Sequence, residues 1–235
     1  MQLFYNDQIQ PNASLFFFDK EESKHIIKVL RKKEGDVIYI TDGKGRLFHS
    51  EILIASEKKC EVKIINHQNF EPKSYKLHIA IAPTKMNDRM EWFLEKATEI
   101  GIDEISPIIC DHSERKQFKI DRAEKIIQAA MKQSHQFYLP KINEAISFSE
   151  FIKKETSYSK YIAHCEKNKK ELLKNCVDQN QDILILIGPE GDFSLKEISL
   201  ALKNNFIGVS LGNTRLRTET AAVVACHTVA LINEK

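Results

Sequence analysis

Ile183-Leu184-Ile185-Leu186-Ile187-Gly188-Pro189-Glu190-Gly191-Asp192-Phe193-Ser194 reads as a short apolar strand that turns through two glycines into a helix. An aliphatic run without polar alternation predicts a strand buried on both faces, as in the middle of a parallel sheet. Ser194 and Glu197 stand in capping-box spacing, which fixes the start of a helix over Leu195–Asn204. Pro189 stiffens the turn, and the glycines let a ligand approach the backbone closely. Glycines at a strand-to-helix turn also serve simply to make the turn. In open α/β sheets ligands bind beyond the carboxyl ends of the strands, so this turn is the first candidate site. It is neither G-x-G-x-x-G nor G-x-x-x-x-G-K-[ST], which argues against a pyrophosphate cradle, and so against NAD chemistry and ATP hydrolysis.

Outward from this stretch the same texture continues. Leu77–Ala82, Ile105–Cys110, Tyr161–Cys165 and Gly208–Leu211 read as strands, and Arg89–Ile100, Arg122–Gln133 and Glu219–Asn233 as helices. Met90, Phe93, Leu94, Ala97 and Ile100 form the apolar stripe of the first helix, and Gly101 sits where a C-cap is wanted. Such alternation predicts an α/β domain with a mostly parallel sheet covered on both faces. A second strand end is also unusual. Leu211-Gly212-Asn213-Thr214-Arg215-Leu216-Arg217-Thr218-Glu219-Thr220-Ala221 leaves its strand through a glycine and enters a helix that is apolar nearly all round. Arg217 and Glu219 there read either as a pair closing the helix N-terminus or as part of a pocket. With two glycine loops, that pocket would take a neutral or cationic nucleoside-like ligand read by backbone groups.

Before about residue 70 the texture is different. Val37–Thr41, Leu47–Ala55 and Glu61–Asn66 alternate like strands, and Asp42-Gly43-Lys44-Gly45 is hairpin chemistry. One helix, Glu21–Leu30, follows Asp19 and Glu22 in capping-box spacing. The reading is a small β-barrel over 1–70, a linker over Gln68–Ser74, and a second domain over 75–235.

Composition bounds the function. Of 235 residues 42% are hydrophobic and 13 are Phe, so a packed core is expected and disorder is not. Lys and Arg total 35 against 33 for Asp and Glu, which neither demands nor excludes a nucleic-acid partner. Local basic excess lies in Lys24–Lys33 and Lys116–Lys132. The five cysteines show no C-x-x-C and the histidines no H-E-x-x-H, so neither a disulfide framework nor a metal site is expected. The start MQLFYNDQIQP lacks the pattern of a signal peptide, and no apolar run is long enough for a bilayer. The expectation is a cytoplasmic protein without metal or membrane.

Gly188-Pro189-Glu190-Gly191, then Leu211-Gly212 and Leu216-Arg217-Thr218-Glu219-Thr220-Ala221, resemble the SPOUT methyltransferases, and more narrowly the RsmE family. That family methylates N3 of a uridine in 16S ribosomal RNA. The resemblance covers nearly the whole chain. His25, Val29-Leu30-Arg31, Gly35-Asp36 and Asp42-Gly43-x-Gly45 are similar to the family's PUA-like barrel. Lys85 to Arg89, Glu95 to Gly101, Ser113-Glu114-Arg115, Gln133-Ser134 and Pro140 are similar to its central segments. The resemblance implies a deep trefoil knot, an exception to un-knotted topology, and a homodimer that acts on the small ribosomal subunit. It implies S-adenosylmethionine bent between the two loops, against Ile187, Gly188, Pro189, Glu190, Gly191, Leu211, Gly212, Leu216, Arg217, Thr218 and Ala221. It also assigns RNA contacts to Lys85, Arg89, Arg115 and Gln133. Asp192, where the family more often has glycine, and Gln136, where it usually has Arg, are departures.

Methyl transfer from a sulfonium needs an in-line nucleophile, so positioning dominates. Uracil N3 must lose its proton, and a cation near O2 or O4 favours the deprotonated base. Arg217 is the first candidate for that charge and Arg115 the second, with Glu219 orienting Arg217 or the cofactor or serving as a helix-start carboxylate. Arg31, Lys32 and Lys33 read as phosphate contacts that position the RNA, or as a solvated basic turn. His164 reads as a satisfied core histidine or a pocket wall. Two alternatives stay open: methylation of another RNA atom on the same fold, and a non-catalytic rRNA-binding assembly protein.

Overall fold

The computed structural model describes residues 1–166 and 170–234, so 167–169 and the end of the region expected to run to 235 lie outside the described residues. The chain divides into two compact units: Met1–Pro72 with Met131–Leu139, and Lys73–Ala130 with the chain from Pro140 onward.

In the first unit, β1 (Leu3–Tyr5), β2 (Leu15–Phe17), β3 (Val37–Thr41), β4 (Arg46–Ile54) and β5 (Glu61–Asn69) form one sheet in the order β1-β3-β4-β5-β2. Phe4 on one edge strand and Phe18 beside the other meet edge-to-face, with ring centroids 5.6 Å apart. The sheet therefore curls until its edges approach each other around Ile26, Ile38, Ile40, Phe48, Ile52 and Val62. The hairpin turn is held by Asp42, whose Oδ1 accepts from Lys44 N at 2.8 Å and Arg46 N at 3.1 Å. Gly45, at φ +93°, leaves room for Tyr138, which a Cβ there would strike. Tyr138 donates its hydroxyl to Phe70 O at 2.8 Å, and Phe137 stacks on Phe70 at 4.2 Å.

The helix expected over Glu21–Leu30 is present within one residue, over Lys20–Val29, but is mixed in type. Asp19 caps α1 (Lys20–Lys24) by accepting from Glu22 N, and His25–Val29 continues as a π-helical turn. Arg31 then takes φ +55°, and Lys32 N bonds back to Ile26 O at 3.1 Å, a closure one residue wider than that of an α-helix cap, as the π-helical turn requires.

The second unit is built on a parallel sheet in the order β11-β13-β10-β12-β6-β7-β8, with β9 paired to β7. Its elements in chain order are β6 (Leu77–Ile81), α2 (Asn87–Ile100), β7 (Glu104–Ile109), α3 (Ile120–Gln133), β8 (Lys141–Ile142), β9 (Ile146–Ser147), α4 (Phe148–Phe151), β10 (Ser159–Ala163), β11 (Glu171–Leu172), α5 (Leu173–Cys176), β12 (Ile183–Ile187), α6 (Leu195–Lys203), β13 (Ile207–Ser210) and α7 (Thr218–Asn233). The last residues of α3, from Met131, belong to the first unit.

Every residue of β12 is buried, because β10 and β6 pair with it on either side and helices cover both faces. On one face Leu184, Leu186, Ala80 and Ile162 meet Phe148, Phe151, Phe193 and Ile198. On the other lie α2 and α7, which pack on each other, with α7 also on β6 and β12. Gly101 caps α2 at φ +100°.

His78 on β6 is buried, its Nε2 2.9 Å from Ser106 Oγ, and burial pulls its pKa down from 6.5 to about 4. The unfolded chain therefore takes up this proton first. Stability is complete above about pH 6.5 and is lost as pH falls toward 4, by up to roughly 3 kcal/mol. Urea unfolding across that range should show His78→Gln losing less stability than the parent chain. Equal slopes would contradict the assignment.

Candidate functional site

The carboxyl ends of β6, β10, β12 and β13 share one edge of the sheet, as the register Ile81–Ile187–Ala163–Val209 fixes. Two adjoining cavities open there. One, of about 290 Å³, is lined by Ile187 to Glu190 and by Leu216, Arg217 and Thr218. The other, of about 450 Å³, is lined by His164, Lys170 and the stretch from Val209 to Thr214. Ala163, Cys165, Arg215, Leu216 and Ala221 border both, so the 215–221 segment is the wall between them. Such volumes suit a small polar molecule with an apolar body.

The two loops are tied together at their roots. Thr218, buried at the start of α7, donates its hydroxyl to Gly188 O at 3.1 Å. Gly188 and Gly191 answer to packing: a Cβ on the first would come within 3.0 Å of the Phe193 ring, and on the second within 3.1 Å of His112 Cβ. The capping box at Ser194 is present and reaches further than its own helix. Glu197 Oε2 accepts from Ser194 N at 2.8 Å, while Oε1 accepts from Asp111 N at 2.9 Å.

Asp192 explains itself here. It adopts φ +63°, which glycine takes freely and Asp tolerates better than most residues. Its Oδ2 accepts from Cys165 N at 2.7 Å and its Oδ1 from Phe193 N at 2.8 Å. The carboxylate thus fastens the end of β10 to the loop after β12. His164 lines the second cavity, and burial together with Lys170, whose ammonium lies 3.4 Å from Nδ1, pulls its pKa down. The imidazole is therefore held neutral.

The charged residues divide. Arg217 is exposed in the first cavity and its guanidinium has no ion-pair or hydrogen-bond partner among the described residues. Arg215 donates to Glu190 O at 3.4 Å, closing the loops over each other. Glu219 lies outside both cavity linings; it is buried, 3.7 Å from Arg89 Nε, with Oε2 unpartnered. The structure thus does not join Glu219 to Arg217. Arg115 borders neither cavity; its Nη2 donates to Lys85 O at 3.0 Å. Lys85 in turn pairs with Glu114 at 2.8 Å and donates its backbone N–H to Glu190 Oε1 at 3.0 Å. Gly191 does not line a cavity, whereas Leu211 and Gly212 line the second. In the first unit Arg31 and Lys33 are exposed and Lys32 half-buried; Gln133, at the end of α3, is exposed.

Lining residues that the sequence did not assign to the site include Ala163, which ends β10, Cys165 just beyond it, Lys170, Asp192 and Arg215. Only Asp192 carried a signal, as a non-glycine at a position that favours glycine. Among the described residues no cluster of His, Cys, Asp and Glu could hold a metal ion, and no helix is long and apolar enough to cross a membrane.

Comparison with known proteins agrees with this geometry. A family model described as an RNA methyltransferase domain matches residues 71–230, and one described as an RNA methyltransferase PUA domain matches 18–65. A Buchnera aphidicola (subsp. Acyrthosiphon pisum) protein named ribosomal RNA small subunit methyltransferase E is 30% identical, over 95% of this chain and 90% of its own. A solved structure from Porphyromonas gingivalis, named "probable rRNA-methyltransferase", is 39% identical with a TM-score of 0.91, covering 99% of this chain and 98% of its own. A Legionella pneumophila protein solved with the cofactor S-adenosylmethionine bound is 27% identical with a TM-score of 0.88, over 99% and 98% of the two chains. The chain belongs to the RNA methyltransferase family, and within it to the ribosomal RNA small subunit methyltransferase E proteins.

Proposed function

We propose that the chain transfers the methyl group of S-adenosylmethionine to N3 of one uridine in the 16S ribosomal RNA of the small subunit, acting in the cytoplasm as a homodimer. The observation that carries this reading is the pair of cavities walled by 215–221 at the strand ends, with an unpaired Arg217 at the mouth of one. Residues 1–70 serve as the PUA-like RNA-binding barrel and 75–235 as the SPOUT domain. The sheet order supports a trefoil knot. From β12 the chain crosses β10 to reach β13, then returns to tie Thr218 to Gly188 and pack α7 on β6 and β12. Exposed Trp92 on α2 and Leu231 on α7 are large apolar side chains of the kind self-association covers.

The residues fit the cofactor. The linings combine backbone from 187–190 and 211–218 with apolar Ala163, Leu216 and Ala221, which suits a nucleoside carrying an amino-acid tail. When bound, S-adenosylmethionine supplies a methyl group on a positively charged sulfur. Arg217 stabilises the negative charge that uracil O2 or O4 carries once N3 has given its proton to solvent water, leaving the N3 lone pair free to attack. Arg115, with its guanidinium on Lys85 O, holds the 85–89 loop against the RNA and is the second candidate for that charge. Glu219 holds Arg89 and so positions the start of α2 beside α7. Arg31, Lys32, Lys33, Lys85, Arg89 and Gln133 contact RNA; these contacts set register without reading sequence.

Labelled S-adenosylmethionine, the purified protein and small subunits from a strain lacking the modification test the reading. Label recovered as 3-methyluridine at one site is expected. Label on another atom would move the substrate assignment, and cofactor binding without label would favour a non-catalytic role.

Arg217→Ala should lower turnover by about 100-fold or more, with melting temperature little changed because the side chain is exposed and unpaired. Near-normal turnover would remove Arg217 from the mechanism. Asp192→Ala should cost about 2 kcal/mol in urea unfolding, since the backbone N–H groups of Cys165 and Phe193 lose their carboxylate acceptor while the left-handed φ remains. Asp192→Gly should cost less, because it loses the same bonds without the strain. An Ala variant as stable as the parent chain would contradict the clasp.

A further inference from the structure

The opposite end of the sheet carries a second concave surface. A groove of about 720 Å³ lies between the chain after α4, the first residues of β10 and the end of α6. Lys153, Lys154, Lys160 and Lys203 line it. None of the four makes an ion pair among the described residues. Two are propped on aromatic rings instead: Lys154 Nζ lies 5.8 Å from the Phe151 centroid and Lys160 Nζ 5.3 Å from that of Phe206. Glu150, the acid of the same turn, is bonded to Ser147, and Glu155 is the one carboxylate in the lining. Thr156, Ser157 and Asn205 add exposed hydroxyls and an amide.

The four ammonium groups line one groove with a single carboxylate, Glu155, among them, and like charges repel wherever they approach within the screening length of about 8 Å at physiological salt. The arrangement is favourable when a polyanion lies between them. We propose that this groove is a second RNA contact of the methyltransferase domain, binding the phosphodiester backbone without reading sequence. The inference rests on the rRNA substrate proposed above and extends it to a surface outside the cofactor site. Lys160 in the groove and Ala163 in the cavity belong to one strand, so their backbones are about 10 Å apart at 3.3 Å per residue. A folded RNA presenting its target to the cavity has further phosphates within reach at that distance. An α6 C-terminus also favours Lys203 through the helix dipole, but that does not account for the three lysines on other elements.

The test compares the parent protein with Lys153→Gln/Lys160→Gln/Lys203→Gln and with the same three positions changed to Arg. Binding to purified 16S rRNA and to isolated small subunits is measured across a salt series, with S-adenosylmethionine affinity as the control for folding. The Gln triple should bind rRNA about ten- to a hundredfold more weakly, with a log–log salt slope shallower by roughly 2 to 3, and the Arg triple should match the parent. A Gln triple with unchanged affinity and slope would overturn the groove while leaving the proposed function intact. A parent protein that binds no rRNA would instead overturn the proposed function. Loss confined to small subunits, with naked rRNA unaffected, would also overturn the proposal and assign the lysines to an acidic protein surface.

Discussion

One buried hydrogen bond, Thr218 Oγ1 to Gly188 O, joins the two loops on which the site depends. It connects the end of a strand buried on both sides with the first turn of a helix packed against that strand's other face. Because β12 is fixed between β10 and β6, Gly188 has little freedom, and Thr218 inherits that restriction. Everything from Gly212 to Arg217 must then span the gap between β13 and α7, and that span forms the wall shared by both cavities. The site is preorganised by sheet register, without any need for a flexible lid.

A second clasp works from the other side. Asp192 fastens β10 to the loop after β12, and Glu197 does the same for the 111 backbone. Each carboxylate spends its charge on backbone N–H groups, so neither competes for a cationic ligand. Among the charged residues of the first cavity, Glu190, Asp192 and Arg215 are engaged with backbone groups, which leaves the Arg217 guanidinium available to hold negative charge on a base. The lysine groove lies at the opposite end of the same sheet, and the two basic features face separate parts of any large RNA.

How much of this was legible follows from element length. Ile183–Ile187 reads to the residue, because an aliphatic run of only five residues, rich in β-branched Ile and ending at Gly188-Pro189, has the length and flanks of a buried strand. The Ser194 cap and the Gly101 stop also read correctly, since each rests on local chemistry. Leu3–Tyr5 and Leu15–Phe17 were missed because three residues cannot display a period of two. The packing of Met131–Leu139 with the first unit has no local signature either; it depends on Tyr138 and Phe137 finding Gly45 and Phe70 far away in sequence. At the site, the two glycine loops and Arg217 stood out as motifs. Ala163 and Cys165 reach it only through sheet order, which sequence spacing does not encode. Glu219 looked like a partner for Arg217, yet its carboxylate turns toward Arg89.

The most direct measurement is the structure of the protein crystallised with S-adenosylmethionine. The account predicts density for the cofactor along the 215–221 wall, in contact with the backbone of 187–190 and 211–218, with the methyl group facing Arg217. Cofactor density elsewhere on the chain, or strand-end cavities left empty at saturating cofactor, would contradict it.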